Sequence, residues 1–418
     1  MAGEHRPPRL QAPAGAPRPE APVPGPPLRQ GGRPPEQPGP ADGGAARAGR
    51  RGGGLRRPEH RPARRLAAAA GRSPRGGLRD AVRPSHGTLL AVALSIAAAG
   101  CAGKADRRLR VGVSAPTQRE ERWVRDVEKL REEARARGVD LRLQISDNDA
   151  ARQLAQCENL LAQEVDVLIL APHDAAAAGV VVDRAHAFGV PVIAYDRLVT
   201  NADVDLYVSF DNVKVGELQG EFLAARVPKG RYVILSGAPT DNNAKLFKDG
   251  AMKHIRPLIE RGDVTVVLEQ PVKDWQPAEA MKLTEDALTA SGQRVDAVLA
   301  PNDGTAGGVI QALSLAGLAG KVPVTGQDAE LSAAKRVLDG TQSMTVYKDT
   351  RALATAAIAA AEVFARGGRP ETNGAVPNGR IDVPAILLPS VVVTRENAVE
   401  VLAGSGYLSR EDLLGGAR

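Results

Sequence analysis

The sequence predicts an α/β fold of two doubly wound parallel sheets that are joined by three hinge strands. From residue 109 onwards, short apolar runs alternate with amphipathic stretches, and the runs begin about 25–30 residues apart, as βαβ units require. The same rhythm restarts after residues 207–211, which indicates a second unit of similar build. Polar side chains follow several predicted strands directly, at the edge where the loops of a parallel sheet leave a crevice.

The first lobe is predicted to comprise residues 109–212 and 349–387. Its strand candidates are 109–113, 141–145, 165–170 and 191–194. The helix between the first two strands is indicated by apolar residues at spacings of three and four, namely Trp123, Val127, Leu130 and Ala134.

The second lobe is predicted to comprise residues 213–348 and 388–418. Its strand candidates are 232–235, 264–268, 297–299 and 322–325, and the tail adds a strand at 344–348, a helix at 351–366, a loop and a strand at 387–393. The chain would cross between the lobes at 209–213, 347–349 and 387–390. Two lobes with three crossings make a clamshell that can close on a ligand.

Charge divides the chain into two parts. Residues 1–100 hold 17 Arg, no Lys and 6 acidic residues, a charge of +11, so the remainder carries 6 − 11 = −5. Residues 1–81 are rich in Arg, Pro and Gly and cannot bury enough apolar surface to fold, so they are predicted to be disordered or not to be translated. The body has no basic stripe with interleaved aromatic residues, and no nucleic-acid partner is expected.

Residues 82–100 have the pattern of a secretory signal peptide. Arg83 supplies the positive charge, and the apolar run TLLAVALSIAAA at 88–99 is short for a membrane span. The sequence AAGC at 98–101 resembles a lipobox, which predicts a lipidated Cys101 and a tether over 101–108; a plain cleavable signal is the alternative. Cys157 is then the only other cysteine, so no disulfide within the chain is expected.

The residues at the predicted strand ends suit a sugar. Carboxylates, amides and an Arg can pair with hydroxyl groups, and an aromatic plane suits the C–H face of the ring. Trp275, in a loop between a strand and a helix, is predicted to stack on the ligand. For Trp123, core packing and a site role are equally compatible with the sequence. The strand-end residues are Asp196, Arg197, Asp241, Asn243, Asn302 and Asp328.

Other chemistries find little support. Asp196 and Asp328 could form the carboxylate pair of a glycosidase, but Arg197 and Lys348 would neutralise them. No Cys/His cluster for a metal, no phosphate-binding glycine loop and no nucleophile elbow is present, so no metal, cofactor or catalytic residue is expected. The sequence TAGG at 305–308 is interpreted as the start of a helix whose glycines allow close packing.

An ordered set of motifs carries a family resemblance over residues 109–413. The motifs are ERW at 121–123, AYDR at 194–197, VSFDN at 208–212, TDNNAKLF at 240–247, PNDGTAGG at 301–308, GQD at 326–328 and TQSMTVYK at 341–348. With these, the chain resembles the periplasmic sugar-binding proteins of the ribose/galactose type, and is most similar to the D-xylose-binding proteins of ABC importers. The segments 114–121 and 269–273 depart most from the family pattern.

The resemblance implies the type I clamshell fold and a set of sugar contacts. The implied xylose-binding residues are Arg122, Asp196, Arg197, Asp241, Asn243, Asn302, Asp328 and Lys348, with Trp123 and Trp275 as stacking aromatics. The implied function is capture of a monosaccharide, D-xylose in the first place, and its delivery to an ABC permease with its ATPase subunit.

The expected protein is therefore a non-enzymatic, monomeric lipoprotein of the periplasm or cell envelope. Ribose, arabinose or glucose are alternative ligands. The effector domain of a sugar-responsive regulator is an alternative function, although no helix-turn-helix is evident, and a glycosidase is the enzyme alternative.

Overall fold

The computed structural model describes residues 107–415. The predicted head, signal peptide and lipidated Cys101 lie outside these residues. The described strands are β1 (Arg110–Ala115), β2 (Asp140–Ile145), β3 (Val167–Leu170), β4 (Val192–Tyr195), β5 (Leu206–Phe210), β6 (Gly230–Ser236), β7 (Val264–Pro271), β8 (Ala297–Leu299), β9 (Thr345–Lys348), β10 (Gly374–Pro377), β11 (Asp382–Leu388) and β12 (Ser390–Val393).

Helices separate most of these strands. They are α1 (Glu121–Ala136), α2 (Ala150–Ala162), α3 (Gly179–Ala187), α4 (Asn212–Arg226), α5 (Asn242–Glu260), α6 (Pro277–Ser291), α7 (Asp303–Leu315), α8 (Leu331–Asp339), α9 (Thr350–Ala365) and α10 (Arg410–Leu414). A 3₁₀ turn at Lys273–Trp275 and a π-helical turn at Val399–Ala403 complete the set. None of the helices in the described part of the chain combines the length and the apolar character that crossing a membrane requires.

The first lobe is built on a seven-stranded sheet in the order β10-β11-β5-β4-β3-β1-β2. All neighbouring strands are parallel except β10 and β11. Successive side chains point to opposite faces, so that on β3 Ile169 packs with Trp123 while Leu168 packs with Cys157 and Leu160. Both faces are therefore covered by helices, as a parallel sheet requires.

The parallel sheet of the second lobe is smaller, with three strands. Its order is β7-β6-β8, and β9 pairs with β12 in a separate antiparallel ribbon. Helices α6 and α7 approach closely where a Cβ on Gly308 would lie 2.0 Å from the carbonyl oxygen of Pro277. This confirms the interpretation of 305–308 as part of a helix with a close-packing glycine.

The chain passes between the two sets of strands three times, after β5 into α4, after β9 into α9, and from β11 into β12. The predicted single strand at 387–393 is wrong: it is divided between two sheets. Pro389 lies at the division, and its missing N–H cannot join a ladder.

Two further predictions of local structure differ from the fold. The predicted strand at 322–325 is reduced to one bridge between Val324 and Val298, with Pro323 contributing only its carbonyl group to the pairing. The segment predicted as a loop before residue 387 contains β10 and most of β11, which extend the large sheet by two strands beyond β5.

Candidate functional site

All ten predicted ligand-binding residues line one cleft between the two lobes. The cleft has an empty volume of about 280 Å³, part of it open to solvent. Three further residues, Glu120, Phe247 and Gln327, line it as well. The predicted residues in this cleft are Arg122, Trp123, Asp196, Arg197, Asp241, Asn243, Trp275, Asn302, Asp328 and Lys348.

Asp196 lies directly after β4, in a left-handed backbone conformation with φ of 61°. Its carbonyl oxygen accepts hydrogen bonds from the hydroxyls of Tyr207 (2.7 Å) and Ser209 (2.8 Å), which hold the strained turn in place. Its Oδ2 lies 2.9 Å from Nη1 of Arg122. Burial alone would raise the pKa of Asp196, but the positive charges of Arg122 and Lys348 outweigh burial and lower it, so this carboxylate stays ionised.

A second acid holds Arg122 from behind the cleft. Asp126, one turn further along α1, accepts from Nε and Nη2 of Arg122 at 3.1 and 2.8 Å, and from the hydroxyl of Tyr195. Burial raises the pKa of Asp126, against the opposing charge of Arg122. The i,i+4 spacing of Arg122 and Asp126 could have indicated the pair, but not that it is buried.

Trp123 is almost fully buried and lies between the core of the first lobe and the cleft. Its ring belongs to the first lobe's core, and it also borders the cleft. The guanidinium groups of Arg122 and Arg197 lie 4.4 and 5.2 Å from its ring centroid. Cation–π contacts therefore help to fix the two arginines that face the cleft.

Direct contacts join the lobes across the cleft. Nε of Arg197 in the first lobe lies 2.7 Å from Oδ2 of Asp241 in the second. Nδ2 of Asn243 donates to the carbonyl oxygen of Asp196 at 2.9 Å. Burial raises the pKa of Asp241, and the Arg197 charge acts against that rise. The described structure is thus a closed arrangement of the two lobes.

Asp328 and Lys348 form the third charge pair of the cleft. Oδ1 of Asp328 lies 2.8 Å from Nζ of Lys348, and both side chains are buried. The ammonium group also faces the rings of Phe210 at 5.6 Å and Phe247 at 5.4 Å. Asp328 has a φ of 100°, so its side chain is aimed by an uncommon backbone conformation.

Asn302 and Trp275 complete the lining from the second lobe. Asn302 caps α7, with Oδ1 accepting from the backbone N–H of Thr305 at 3.0 Å, which leaves its Nδ2 as the donor for the cleft. Trp275 lies in the 3₁₀ turn with φ of 57°, and its indole meets the edge of Phe247 at a centroid distance of 6.4 Å and an angle of 73°.

Four polar atoms of the lining have no hydrogen-bond partner among the described residues. They are Oδ2 of Asp196, Nε1 of Trp275, Oε1 of Gln327 and Oδ1 of Asp328. The two carboxylate oxygens touch a cation, as given above, but outside hydrogen-bonding geometry. Buried polar atoms are rarely left unpaired, so this cluster marks a place where a polar molecule fits.

Sequence reasoning did not select three lining residues. Gln327 stands inside the GQD motif beside Asp328, and Phe247 ends the TDNNAKLF motif, so their positions carried a signal. Glu120 precedes the ERW motif, in the segment 114–121 that departs from the family pattern. Within residues 107–415, no group of three or more metal-binding side chains is arranged to hold an ion.

Comparison with known proteins identifies the family of this chain. The family "Periplasmic binding protein domain" matches residues 111–369, more than half of the chain. The chain belongs to this family. As a periplasmic binding protein it is similar to the D-xylose-binding periplasmic protein of Haemophilus influenzae, with 43% identity over 73% of this chain and 92% of the relative. It is also 41% identical to the protein of the same name from Escherichia coli, over 73% of this chain and 93% of that one.

Solved structures agree with this membership. A carbohydrate transporter solute-binding protein from Chloroflexus aurantiacus, in complex with D-glucose, has a TM-score of 0.70 and 36% identity, over 73% of this chain and 98% of that one. An ABC transporter solute-binding protein from Clostridium phytofermentans with bound β-D-glucose has a TM-score of 0.68 and 33% identity, over 73% and 99%. The predicted fold class is confirmed, and so is the prediction of a binding protein rather than an enzyme.

Proposed function

We propose that this protein captures a monosaccharide, D-xylose in the first place, between its lobes and delivers it to an ABC permease. The observation that carries the proposal is a cleft, lined by Trp123 and Trp275, in which four buried polar atoms have no hydrogen-bond partner, two of them on ion-paired carboxylates. Three of these atoms are acceptors and one is a donor. A sugar ring offers hydroxyl groups to the acceptors and a C–H face to the indole rings.

The cations of the cleft are all paired, which disfavours an anionic ligand. Arg122, Arg197 and Lys348 are each within 2.9 Å of the carboxylate they pair with. An anionic ligand would have to break one of these buried pairs to find a cation, at a cost of several kcal/mol. A neutral polyol instead uses the free lone pairs of the same carboxylates, and charge-assisted hydrogen bonds are the strong ones.

Relatives support the choice of sugar. The two relatives at 43% and 41% identity are named for D-xylose, whereas the solved structures at 36% and 33% identity contain D-glucose. The two pyranoses have the same ring hydroxyls, and D-glucose adds a hydroxymethyl group. We therefore place D-xylose first, with D-glucose, D-ribose and L-arabinose as alternatives.

Capture and release follow from the contacts across the cleft. The ion pair of Arg197 with Asp241 and the hydrogen bond of Asn243 to Asp196 exist only while the lobes are together. A sugar that touches both lobes adds further contacts of this kind, and so shifts the population toward the closed state. The three chain crossings would act as the hinge, dividing the chain into 109–212 plus 349–387 and 213–348 plus 388–418.

Export and anchoring complete the proposal. Residues 82–100 would direct the chain across the membrane, and lipidation of Cys101 would hold it at the cell envelope, where a permease and its ATPase partner act. Metabolic labelling with a radioactive fatty acid tests this step. Label is expected on the wild-type chain and not on Cys101→Ala, and equal labelling of both would contradict the anchor.

The sugar is tested by calorimetric titration of residues 104–418 with D-xylose, D-glucose, D-ribose and L-arabinose. We expect D-xylose to bind most tightly, and Asp328→Ala and Trp275→Ala to weaken binding by about tenfold or more. Asp286→Ala, which removes an exposed carboxylate on α6, is the matched control and should bind as the wild type does. Binding of another sugar alone would replace the ligand, and binding of none would overturn the proposal.

A further inference from the structure

Asp303 is a fully buried acid that lies next to the cleft but does not line it. It directly follows Asn302, which does line the cleft, and it is the first residue of α7. Its backbone N–H donates to the carbonyl oxygen of Gln327 at 3.0 Å. Asp303 therefore connects the segment after β8 with the segment that carries Asp328. A buried carboxylate is costly unless donors reach it, so its partners indicate its role.

Three donors share the carboxylate of Asp303. Oδ1 accepts from Nε2 of Gln342 at 2.8 Å, and Oδ2 accepts from the hydroxyl of Thr345 at 2.8 Å and from the backbone N–H of Glu330 at 3.1 Å. The amide of Gln342 is oriented in turn, because its Oε1 accepts from Nε of Arg336 at 3.0 Å. Only an ionised carboxylate can accept all three of these hydrogen bonds.

These contacts hold the turn that carries Asp328. Asp328 and Ala329 have φ values of 100° and 50°, which is uncommon for two successive residues other than glycine. The N–H of Ala329 donates to the hydroxyl oxygen of Thr345 at 3.3 Å, while that hydroxyl donates to Asp303. The next N–H, that of Glu330, reaches Asp303 directly. One carboxylate thus orders two successive amides, and a backbone of this kind persists only where its surroundings fix it.

The carboxylate of Asp303 also packs against the start of the same turn. A Cβ on Gly326 would lie 2.1 Å from Oδ1 of Asp303 and 2.3 Å from Nε2 of Gln342. The backbone that leads into Asp328 is therefore in close contact with the carboxylate and its amide partner. A change in the hydrogen bonding of Asp303 should for this reason move the turn.

We infer that Asp303 is a positioning residue of the sugar site, which acts through the turn at 326–330 to place the carboxylate of Asp328 relative to Asn302. This inference rests on the proposed function and deepens it. It gives a role in binding to an acid that does not itself touch the ligand.

The charge on Asp303 should make sugar affinity depend on pH near neutrality. Burial and the negative charge of Asp328 raise the pKa of Asp303 to about 7, and the charge of Arg336 opposes that rise. Of the other charged groups here, Lys348 pairs with Asp328, and Glu330 keeps its proton in this range because its pKa is raised to about 9. Protonation of Asp303 removes an acceptor, so sugar affinity should be highest above pH 7 and fall below it.

The test is a double-mutant cycle, measured by calorimetric titration with whichever of D-xylose, D-glucose, D-ribose and L-arabinose the wild type binds best. Asp303→Asn keeps the size of the side chain but replaces an acceptor by a donor, and it should lower the affinity by about tenfold or more. In the Asp328→Ala background the same substitution should lower the affinity by less than about twofold, because the residue through which it acts is gone.

The pH profile gives a second measurement that a purely structural role would not change. If protonation acts as Asp303→Asn does, the wild-type affinity should fall by about fivefold between about pH 8 and about pH 6. The affinity of Asp303→Asn should stay within about twofold over the same range, since the titrating group is absent.

Asp296→Asn is the matched control. Oδ2 of Asp296 also accepts from a backbone N–H, that of Arg231 at 2.7 Å, but Asp296 precedes β8 at the end away from the cleft. This variant should bind the sugar within about twofold of the wild type. Thr345→Val, which removes the hydroxyl between Asp303 and Ala329, should weaken binding as well and serves if Asp303→Asn does not fold. Thermal unfolding shows which variants are folded.

The outcomes separate the inference from the proposed function. Unchanged affinity in folded Asp303→Asn or Thr345→Val would overturn the inference while sugar capture stands. The same would follow from an equal loss in the Asp328→Ala background, or from a pH profile that Asp303→Asn leaves as in the wild type. A wild type that binds none of the four sugars would overturn the proposed function and the inference together.

Discussion

Gly237→Ala is predicted to weaken sugar binding by displacing Trp275, without touching the ligand itself. Gly237 follows β6 directly, and its backbone supports the indole. A Cβ at this position would lie 2.0 Å from Cη2, 2.2 Å from Cζ2 and 2.4 Å from Cζ3 of Trp275. Ordinary contact begins near 3.4 Å, so the indole would have to move by about 3.4 − 2.0 = 1.4 Å.

The indole has little room for such a movement. The edge of Phe247 stands against it, and its own backbone is held in the left-handed region. Loss of the stacking geometry should cost about 1–2 kcal/mol of binding free energy, or about five- to thirtyfold in affinity. Overpacking should cost folding stability by about 1–3 kcal/mol.

Calorimetric titration with the best-bound sugar and urea denaturation measure the two effects separately. Gly404→Ala is the matched control, because no atom lies within 4 Å of its added Cβ and its φ is −63°. If Gly237→Ala bound sugar within about twofold of the wild type while Trp275→Ala lost more than about tenfold, the packing argument would be refuted.

Three further predictions concern the buried charges and the closed state. Lys348→Met should lower the free energy of unfolding by about 3–5 kcal/mol, because it leaves Asp328 buried without its cation. In urea denaturation, adding Asp328→Asn to this variant should restore most of the lost stability. A loss below about 1 kcal/mol in Lys348→Met would contradict the prediction. Burial and neighbouring acids raise the pKa of Glu330 to about 9 from an ordinary 4.5. The contribution of Glu330 to stability is therefore complete below pH 4.5 and is lost as the pH rises toward 9. Glu330→Gln should flatten the fall in the free energy of unfolding over this pH range, and an unchanged slope would count against the prediction. Oε1 of Glu121 accepts a hydrogen bond from the backbone N–H of Leu331 in the other lobe, at 3.1 Å. Glu121→Ala should lower the affinity for every sugar by the same factor and speed hydrogen exchange at the Leu331 amide. Unchanged exchange would show that this bond does not hold the lobes together.

Much of the site could be anticipated because the fold is a parallel one. Asp196 follows β4, Asp241 follows β6 and Asn302 follows β8, and the carboxyl ends of parallel strands meet at one edge of their sheet. Residues that are far apart in the chain thus converge by a general rule. Locating the strands in the sequence was therefore enough to predict that these residues converge on one cleft.

Strand boundaries were harder to predict where they depend on pairing with a neighbouring strand. The strand predicted at 322–325 survives as one bridge, and the strand predicted at 387–393 divides at Pro389. β10 was taken as loop, because a Gly/Pro/Asn-rich segment becomes a strand only through its neighbour β11. Strand content depends on tertiary contact more than on local preference.

The sequence by itself determined the alternation of strands and helices, the two-lobed α/β class and the polar residues at the strand ends, because these follow from short-range periodicity and from chain direction. Only the tertiary structure decided which acid pairs with which cation, and that Asp126 and Tyr195 support Arg122 on the side away from the cleft. The physical reason is that pairing and burial depend on distances between residues far apart in the chain, and charge interactions change steeply with both.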